Sequence, residues 1–265
     1  MHDDQENKKL NFEALKEFLD IKFFQYNNHD FIQSDPISIP HLFTKNEDIE
    51  IAGFLAAIIA WGQRPTIIKN GNQLVEWMDF SPHDFILNFK EKDLQPFKKF
   101  VHRTFNGEDC TYFLWSLKNV YQEHQTLENA FTKGFSLSEP NVKLAINLFR
   151  KRFFEIDHPA RSQKHIADPE KNSSAKRLNM YLRWMVRQDK TGVDFGIWKK
   201  IQPSQLVCPL DVHSGNTARK LGLLQRKMND WQAAEELTRV LKSFDANDPV
   251  KYDFALFGLG VFEMF

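Results

Sequence analysis

Two residues of this sequence, Lys176 and Asp211, have side chains suited to covalent chemistry on a sugar. A lysine amine can attack a sugar carbon, and a fixed carboxylate can stabilise the cation that develops there. Lys176 belongs to the basic amphipathic segment 174–187, and Asp211 lies in the segment 209–213. Together the two side chains are the groups needed to excise a base from a nucleoside through a lysine adduct.

Both residues are predicted to lie at the start of a helix. The segment 174–187 has apolar residues at helical spacing, and Lys176 falls in its first turn. Asp211 is a favourable N-cap for a helix over 212–221, which Gly222 would end. The plain alternatives are that the first helix presents a solvated charged face and that Asp211 is only a cap.

Basic residues are concentrated in one part of a chain that has 35 basic and 35 acidic residues in total. Between Lys171 and Lys200 there are eight basic residues and two acidic ones. Arg183 and Arg187 follow Lys176 on one helical face, and cations in a first turn oppose the helix dipole unless an anion is near. The sequence therefore predicts a basic stripe that contacts nucleic-acid phosphates through Arg183 and Arg187.

The composition excludes several classes of protein. With 265 residues and 42% hydrophobic residues the chain can bury a sizeable core, and its two cysteines exclude a disulfide framework and an all-cysteine metal site. We expect no metal and no cofactor. The first residues are polar, and no apolar run reaches membrane-spanning length, so we expect a cytoplasmic protein without a membrane partner.

Helical periodicity recurs along the chain, and no series of alternating strands does, which predicts an all-α fold. A further helix is predicted to start at Asp248-Pro249, with Phe254, Leu256, Phe257, Leu259 and Phe262 as core candidates. The earlier predicted helices cover 12–24, 47–61, 65–78, 82–89, 111–124, 127–135 and 142–153.

Two motifs resemble those of the helix-hairpin-helix DNA glycosylase superfamily. The run Pro-Leu-Asp-Val-His at 209–213, followed by Lys-Leu-Gly at 220–222, is similar to the Val-Asp-Thr-His run and basic-Leu-Gly motif of endonuclease III-type enzymes. Lys-Arg-Leu-Asn-Met at 176–180 resembles their catalytic-lysine helix, with a lysine-to-aspartate separation similar to that in the archaeal 8-oxoguanine glycosylase branch. Over almost its whole length the chain resembles a bacterial family known as the domain of unknown function 2400 group.

The resemblance implies a two-lobed, all-α helix-hairpin-helix glycosylase-like fold in one unit, 1–265. One helical lobe would cover about 46–200, and about 10–45 with 201–265 would form the other. The implied activity is that of a bifunctional DNA glycosylase and abasic-site (AP) lyase that removes a damaged base, an oxidised purine being one candidate. Lys176 would form the Schiff base, and Asp211 would assist its deprotonation and stabilise the sugar cation.

The implied partner is double-stranded DNA with an extruded base. Gln63 and Arg64 match the place where the superfamily fills the gap left by that base. The Gly-rich hairpin that binds phosphate in the superfamily has no counterpart before Lys176, where Ser173 and Ser174 could donate hydroxyls instead. The residues expected to contact DNA are Gln63, Arg64, Ser173, Ser174, Arg177, Arg183, Arg187 and His213. Trp184 and Trp198 are candidates for stacking on the base or for the core.

Two other interpretations of the sequence stay open. A non-catalytic protein of the same fold would bind nucleic acid without a covalent intermediate. A protein-interaction module would use the basic helix to meet an acidic partner, and it would show no salt-dependent binding to DNA.

Overall fold

Helices account for nearly all regular structure in the computed structural model, which describes residues 2–265 and the side chains from residue 11 onward. The prediction of an all-α protein is confirmed. The α-helices are α1 (His2–Tyr26), α2 (His29–Ser34), α3 (Asn46–Ile58), α4 (Arg64–Glu76), α5 (Pro82–Asn88), α6 (Gly107–His124), α7 (Leu127–Thr132), α8 (Lys143–Phe153), α9 (Lys176–Val186), α10 (Val212–Lys220), α11 (Trp231–Phe244) and α12 (Tyr252–Val261).

Short elements connect the helices. One antiparallel hairpin, β1 (Val101–His102) with β2 (Phe105–Asn106), precedes α6. The 3-10 turns are Pro36–Ser38, Pro40–Leu42, Glu91–Leu94, Phe97–Lys99, Ala160–His165, Pro169–Lys171, Pro203–Gln205 and Pro249–Lys251.

The core is organised around α3, which packs against α4, α5 and α9. Every residue of α3 from Ile49 to Ile58 is buried, as its nearly continuous apolar sequence predicts. Phe54 lies at the centre, with its ring against those of Phe113, Phe149 and Tyr181. Burying one such side chain stabilises the fold by about 1.5–3 kcal/mol.

The last helix, α12, packs against both α1 and α10, so the first and last helices of the chain lie together. Phe254, Leu256 and Leu259 are buried in it, as predicted. Phe262 is 48% exposed because α12 ends at Val261, which corrects its assignment to the core.

None of the helices from residue 2 onward combines the length and apolar character that crossing a bilayer would require.

Candidate functional site

A pocket of about 990 Å³ opens between the first turns of α9 and α10, the loop joining α3 to α4, and α12. A pocket of this size accommodates a ligand as large as a nucleotide. Its lining includes several of the residues selected from the sequence, which are Gln63, Arg64, Lys176, Arg177, Arg183, Asp211 and His213. Ser173, Ser174 and Arg187 do not line it.

Lys176 and Asp211 face each other at the pocket wall. The Lys176 Nζ lies 3.7 Å from Asp211 Oδ2, and both side chains are partly exposed. The same amine is 3.6 Å from Met180 Sδ, one helical turn away. An ion pair with this exposure contributes about 0.2–1 kcal/mol, so the amine can leave the carboxylate at little cost.

Asp211 divides its two oxygens between a structural and a pocket-facing contact. Oδ1 accepts hydrogen bonds from the backbone N–H groups of His213 at 2.9 Å and Ser214 at 3.1 Å. This confirms the predicted N-cap of α10. Since Oδ2 takes no part in those bonds, the cap holds a carboxylate oxygen in place beside Lys176.

Arg183 and Arg187 do not form an exposed basic stripe, and the structure corrects that prediction. Arg183 is 3% exposed and Arg187 is 1% exposed. Arg183 pairs with Asp194 and Asp253, and Arg187 pairs with Asp189, Asp194 and Asp248. Their guanidinium groups are therefore paired with carboxylates inside the protein and are not free to contact phosphates.

The physical reason is the compensation that buried charges require. Burial lowers the pKa of Arg187, but the carboxylates of Asp194, Asp248 and Asp189 outweigh that effect, and its pKa lies above the usual range. Arg187 therefore stays ionised although it is buried at the C-terminal end of α9. Arg183 lies on α9 and Arg187 is its C-cap residue. The acidic residues that pair with them come from the following loop, from the residue before the 3-10 turn Pro249–Lys251, and from the first turn of α12.

Arg177 joins α9 to the loop that follows α3. Its guanidinium donates to the backbone oxygens of Ile58 and, at 3.2 Å, of His165, and lies 4.6 Å from the centre of the Trp61 ring. Burial lowers the pKa of Arg177 to about 10. These contacts hold the Trp61 loop against the start of α9, so Arg177 positions one wall of the pocket.

At the mouth of the pocket, Arg64 is held more firmly than Gln63. The Arg64 guanidinium lies 4.6 Å from the ring centre of Phe257 and 5.4 Å from that of Phe262. Gln63 is the exposed N-cap residue of α4, and its side chain makes no capping bond. His213 is also exposed at the mouth.

The two serines before α9 serve local structure. The Ser173 Oγ accepts the backbone N–H of Ala175 at 3.3 Å, and the Ser174 Oγ donates to the backbone oxygen of Leu210 at 3.3 Å. Their proposed contact with phosphate stays a prediction. Trp184 and Trp198, the stacking candidates, are buried in the core.

Sequence reasoning missed two carboxylates that line the pocket, Asp35 and Asp253. Asp253 accepts a hydrogen bond from Arg183, and burial raises its pKa to about 6 although Arg183 opposes the rise. Asp35 N-caps the 3-10 turn Pro36–Ser38. The Asp-Pro pair signals that cap in the sequence, but no local pattern indicates that either carboxylate reaches the pocket.

The hairpin β1–β2 brings a further cation to the pocket rim. The His102 ring is 3.0 Å from the Trp61 backbone oxygen, and the Asn70 side-chain amide is 2.9 Å from its other nitrogen. Arg103, in the hairpin turn, has φ of 54° and is exposed. Its Nη1 lies 3.1 Å from the position that a Cβ would occupy on Gly62, a pocket residue.

Among the residues whose side chains are described, no cluster of histidine, cysteine, aspartate or glutamate has the arrangement of a metal site. Comparison with known proteins gave no match among curated proteins and none among solved structures. A family model described as a protein of unknown function, DUF2400, matches residues 35–262. Because this match covers most of the chain, including Lys176 and Asp211, the protein belongs to the DUF2400 family.

Proposed function

We propose that the protein is a DNA glycosylase with AP lyase activity that acts through Lys176. The observation that carries the proposal is the 3.7 Å approach of Lys176 Nζ to Asp211 Oδ2 at the wall of a pocket large enough for a nucleotide. An amine and a fixed carboxylate on one wall are the two groups that nucleophilic base excision needs.

In the proposed reaction the target nucleotide leaves the duplex and enters the pocket. Asp211 accepts a proton from Lys176, and the free amine attacks C1′ of the sugar. The C1′–N bond breaks as the Nζ–C1′ bond forms. The base departs with the electron pair and takes the proton from Asp211, which restores the carboxylate beside the sugar cation. Opening of the sugar ring gives a Schiff base, and loss of a C2′ proton then expels the 3′ phosphate.

The proposal extends to the fold, as a two-lobed helix-hairpin-helix glycosylase-like arrangement. Its support is the order of the parts, with a lysine in the first turn of one helix and an aspartate capping a later helix at the same pocket. Before α9, Asn172 and Ala175 have φ of 61° and 48°, a backbone region that glycine favours. This segment stands where the superfamily has its glycine-containing hairpin.

The DNA contacts are assigned to side chains that are accessible at the pocket mouth. Gln63 is the candidate for filling the gap in the duplex, with Arg64 and His213 beside it. Since Arg183 and Arg187 are buried, phosphate contact is assigned to Arg103 on the hairpin. Their burial also argues against a module that meets an acidic protein through the basic helix.

Borohydride reduction tests the proposal because it traps a Schiff base between protein and DNA. Wild-type protein should give a trapped adduct with at least one duplex from a panel of damaged bases and abasic sites. Lys176→Gln should give none while retaining its affinity for the duplex. DNA binding without an adduct on any duplex would support the non-catalytic alternative, and an adduct in Lys176→Ala would assign the chemistry to another amine.

A further inference from the structure

Asp35 places a nearly buried carboxylate in the wall of the pocket, directly after α2. The residue is 7% exposed, and its Oδ1 accepts the backbone N–H of Ile37 at 3.1 Å. Among residues 11–265 no group donates a hydrogen bond to Oδ2, and no cation lies within ion-pair distance of it. Asp35 lines the pocket, and Oδ2 is the carboxylate oxygen that is left for a ligand there.

This arrangement leaves one oxygen of a buried carboxylate without a hydrogen-bond donor. A carboxylate removed from water is unfavourable unless donors or cations replace the lost hydration. Burial accordingly raises the pKa of Asp35, while the Ile37 N–H and the charges of Arg183, Lys176 and Arg64 act in the opposite direction. A ligand that brings an N–H donor would supply the missing partner.

The second pocket carboxylate is in a different position. Asp253 is equally buried, but it accepts a hydrogen bond from Arg183, so a cation already pairs with it. Asp35 is therefore the pocket carboxylate to which a ligand can best donate hydrogen bonds.

We propose that Asp35 recognises a guanine-type base in this pocket, with its carboxylate accepting hydrogen bonds from N1–H and from the 2-amino group. The inference rests on the proposed function, because it concerns the base that enters the same pocket. The substrate class would be DNA containing a guanine-derived lesion that retains N1–H and the 2-amino group.

The choice of guanine follows from the edges of the four bases. Guanine offers two adjacent donors, N1–H and the 2-amino group. Adenine and cytosine offer one amino group beside a ring nitrogen that accepts, and thymine has a single N–H between two carbonyl oxygens. A carboxylate has about four lone-pair sites, so Asp35 can keep the Ile37 bond and accept two more. Two parallel bonds to one carboxylate also fix the orientation of the base.

The pocket also supplies apolar surface for such a base. Phe31, one turn before Asp35 on α2, lines the pocket, as do Met180 of α9 and Phe257 of α12. Bases that enter enzyme pockets are commonly held between apolar side chains and read along one edge. Asp35 would provide the edge contact, and these side chains would pack on the base.

The direct test compares two nucleotides that differ only in the 2-amino group, deoxyguanosine 5′-monophosphate and deoxyinosine 5′-monophosphate. Titration calorimetry should show that the wild-type protein binds the guanosine nucleotide about 10-fold to 100-fold more tightly, the value of one hydrogen bond to a charged group. Asp35→Asn keeps an oxygen for the Ile37 N–H but turns an amide N–H toward the pocket. This variant should bind both nucleotides with equal affinity.

Asp30→Asn is the matched control, because it removes the same charge from an exposed position in the first turn of α2. It should keep the wild-type preference. If Asp35→Asn does not fold, Asp35→Ser retains an N-cap oxygen and serves the same purpose. Thermal unfolding of each variant verifies that the binding data come from folded protein.

The outcomes separate this inference from the proposed function. Equal affinity of the wild-type protein for the two nucleotides, no binding of the guanosine nucleotide at millimolar concentration, or a preference unchanged in Asp35→Asn would overturn the role of Asp35. A borohydride adduct would still support Lys176 chemistry in each of those cases. A preference that depends on Asp35, without any adduct, would support the recognition and refute the excision chemistry.

Discussion

Substitution of Asp211 by asparagine separates the two roles of this residue. The Asp211→Asn side chain would keep an oxygen for the N–H groups of His213 and Ser214, so the cap of α10 is retained. The variant loses the interaction of a negative charge with the helix dipole and the partly exposed pair with Lys176, each of which contributes less than about 1 kcal/mol. We expect a loss of about 1 kcal/mol in the free energy of unfolding and a fall of about 2–4 °C in Tm.

The effect on base excision should be much larger. The carboxylate oxygen Oδ2 of Asp211 faces the amine that attacks the sugar. Its negative charge therefore stabilises the cationic transition state more than it stabilises the ground state. Loss of one such electrostatic contact slows a reaction by about 100-fold or more, equal to about 2.7 kcal/mol in the barrier. Single-turnover excision at saturating enzyme measures this rate without interference from binding.

Asp245 provides a matched control for this substitution. Its Oδ1 accepts the backbone N–H groups of Asn247 at 3.0 Å and Asp248 at 3.1 Å, and its Oδ2 lies 2.7 Å from Lys251 Nζ. This is the same division of oxygens between two amides and a lysine, at a position outside the pocket. Asp245→Asn should lose similar stability and keep the wild-type rate.

The result that would refute the reasoning is a large fall in Tm with an unchanged excision rate for the folded fraction of Asp211→Asn. Asp211 would then be a helix cap alone, and the pairing with Lys176 would have no catalytic meaning.

The charges of the site lead to three further predictions. Arg103→Ala should reduce the magnitude of the slope of log affinity for DNA against log salt concentration by about 0.9. Lys151→Ala, a control on the exposed side of α8, should leave the slope unchanged, and an unchanged slope in both variants would show that Arg103 does not contact DNA. Arg183→Ala should destabilise the fold by about 3–5 kcal/mol in urea unfolding, since it leaves Asp253 without its cation and Asp194 with Arg187 alone, and a loss below about 1 kcal/mol would contradict the buried ion pairs. Asp253 has a raised pKa of about 6 against the ordinary 3.8, so between these pH values the folded state binds more protons than the unfolded state, and the contribution of Asp253 to stability falls as pH rises from about 4 to 6. Asp253→Asn should lack that part of the dependence of unfolding free energy on pH, and identical pH profiles for the two proteins would exclude the raised pKa.

Much of the helical structure can be predicted from the sequence because its signals are local. The apolar spacing in α3 and α9, and the cap at Asp211, lie within the elements that they define. The same kind of signal is present for α11, which is absent from the predicted helices although Asp230 is its N-cap and apolar residues recur at helical spacing. The sequence pattern was therefore sufficient for α11 as well.

The pocket could be predicted only in part. The chemistry of Lys176 and Asp211 and their resemblance to known motifs point to this pair, and the structure brings the two side chains together. Whether a cation is exposed depends on which carboxylates the fold places beside it. The partners of Arg183 include Asp253, which is 70 positions away in the chain. A helical pattern reports the face on which a side chain lies but not its tertiary neighbours, and the same limit hid Asp35 from the sequence.

The buried pairs at the end of α9 have a consequence for the lysine at its beginning. Arg183 and Arg187 fasten the helix to Asp253 of α12 and to Asp248 just before it, so α9 cannot slide along its axis without separating several charges in the protein interior. The depth to which Lys176 reaches is thereby set from the far end of its own helix. Displacements of about 1 Å at a reacting group can cost about 100-fold in rate. Substitutions at Asp248, which does not line the pocket, should therefore displace the Lys176 amine and slow the reaction.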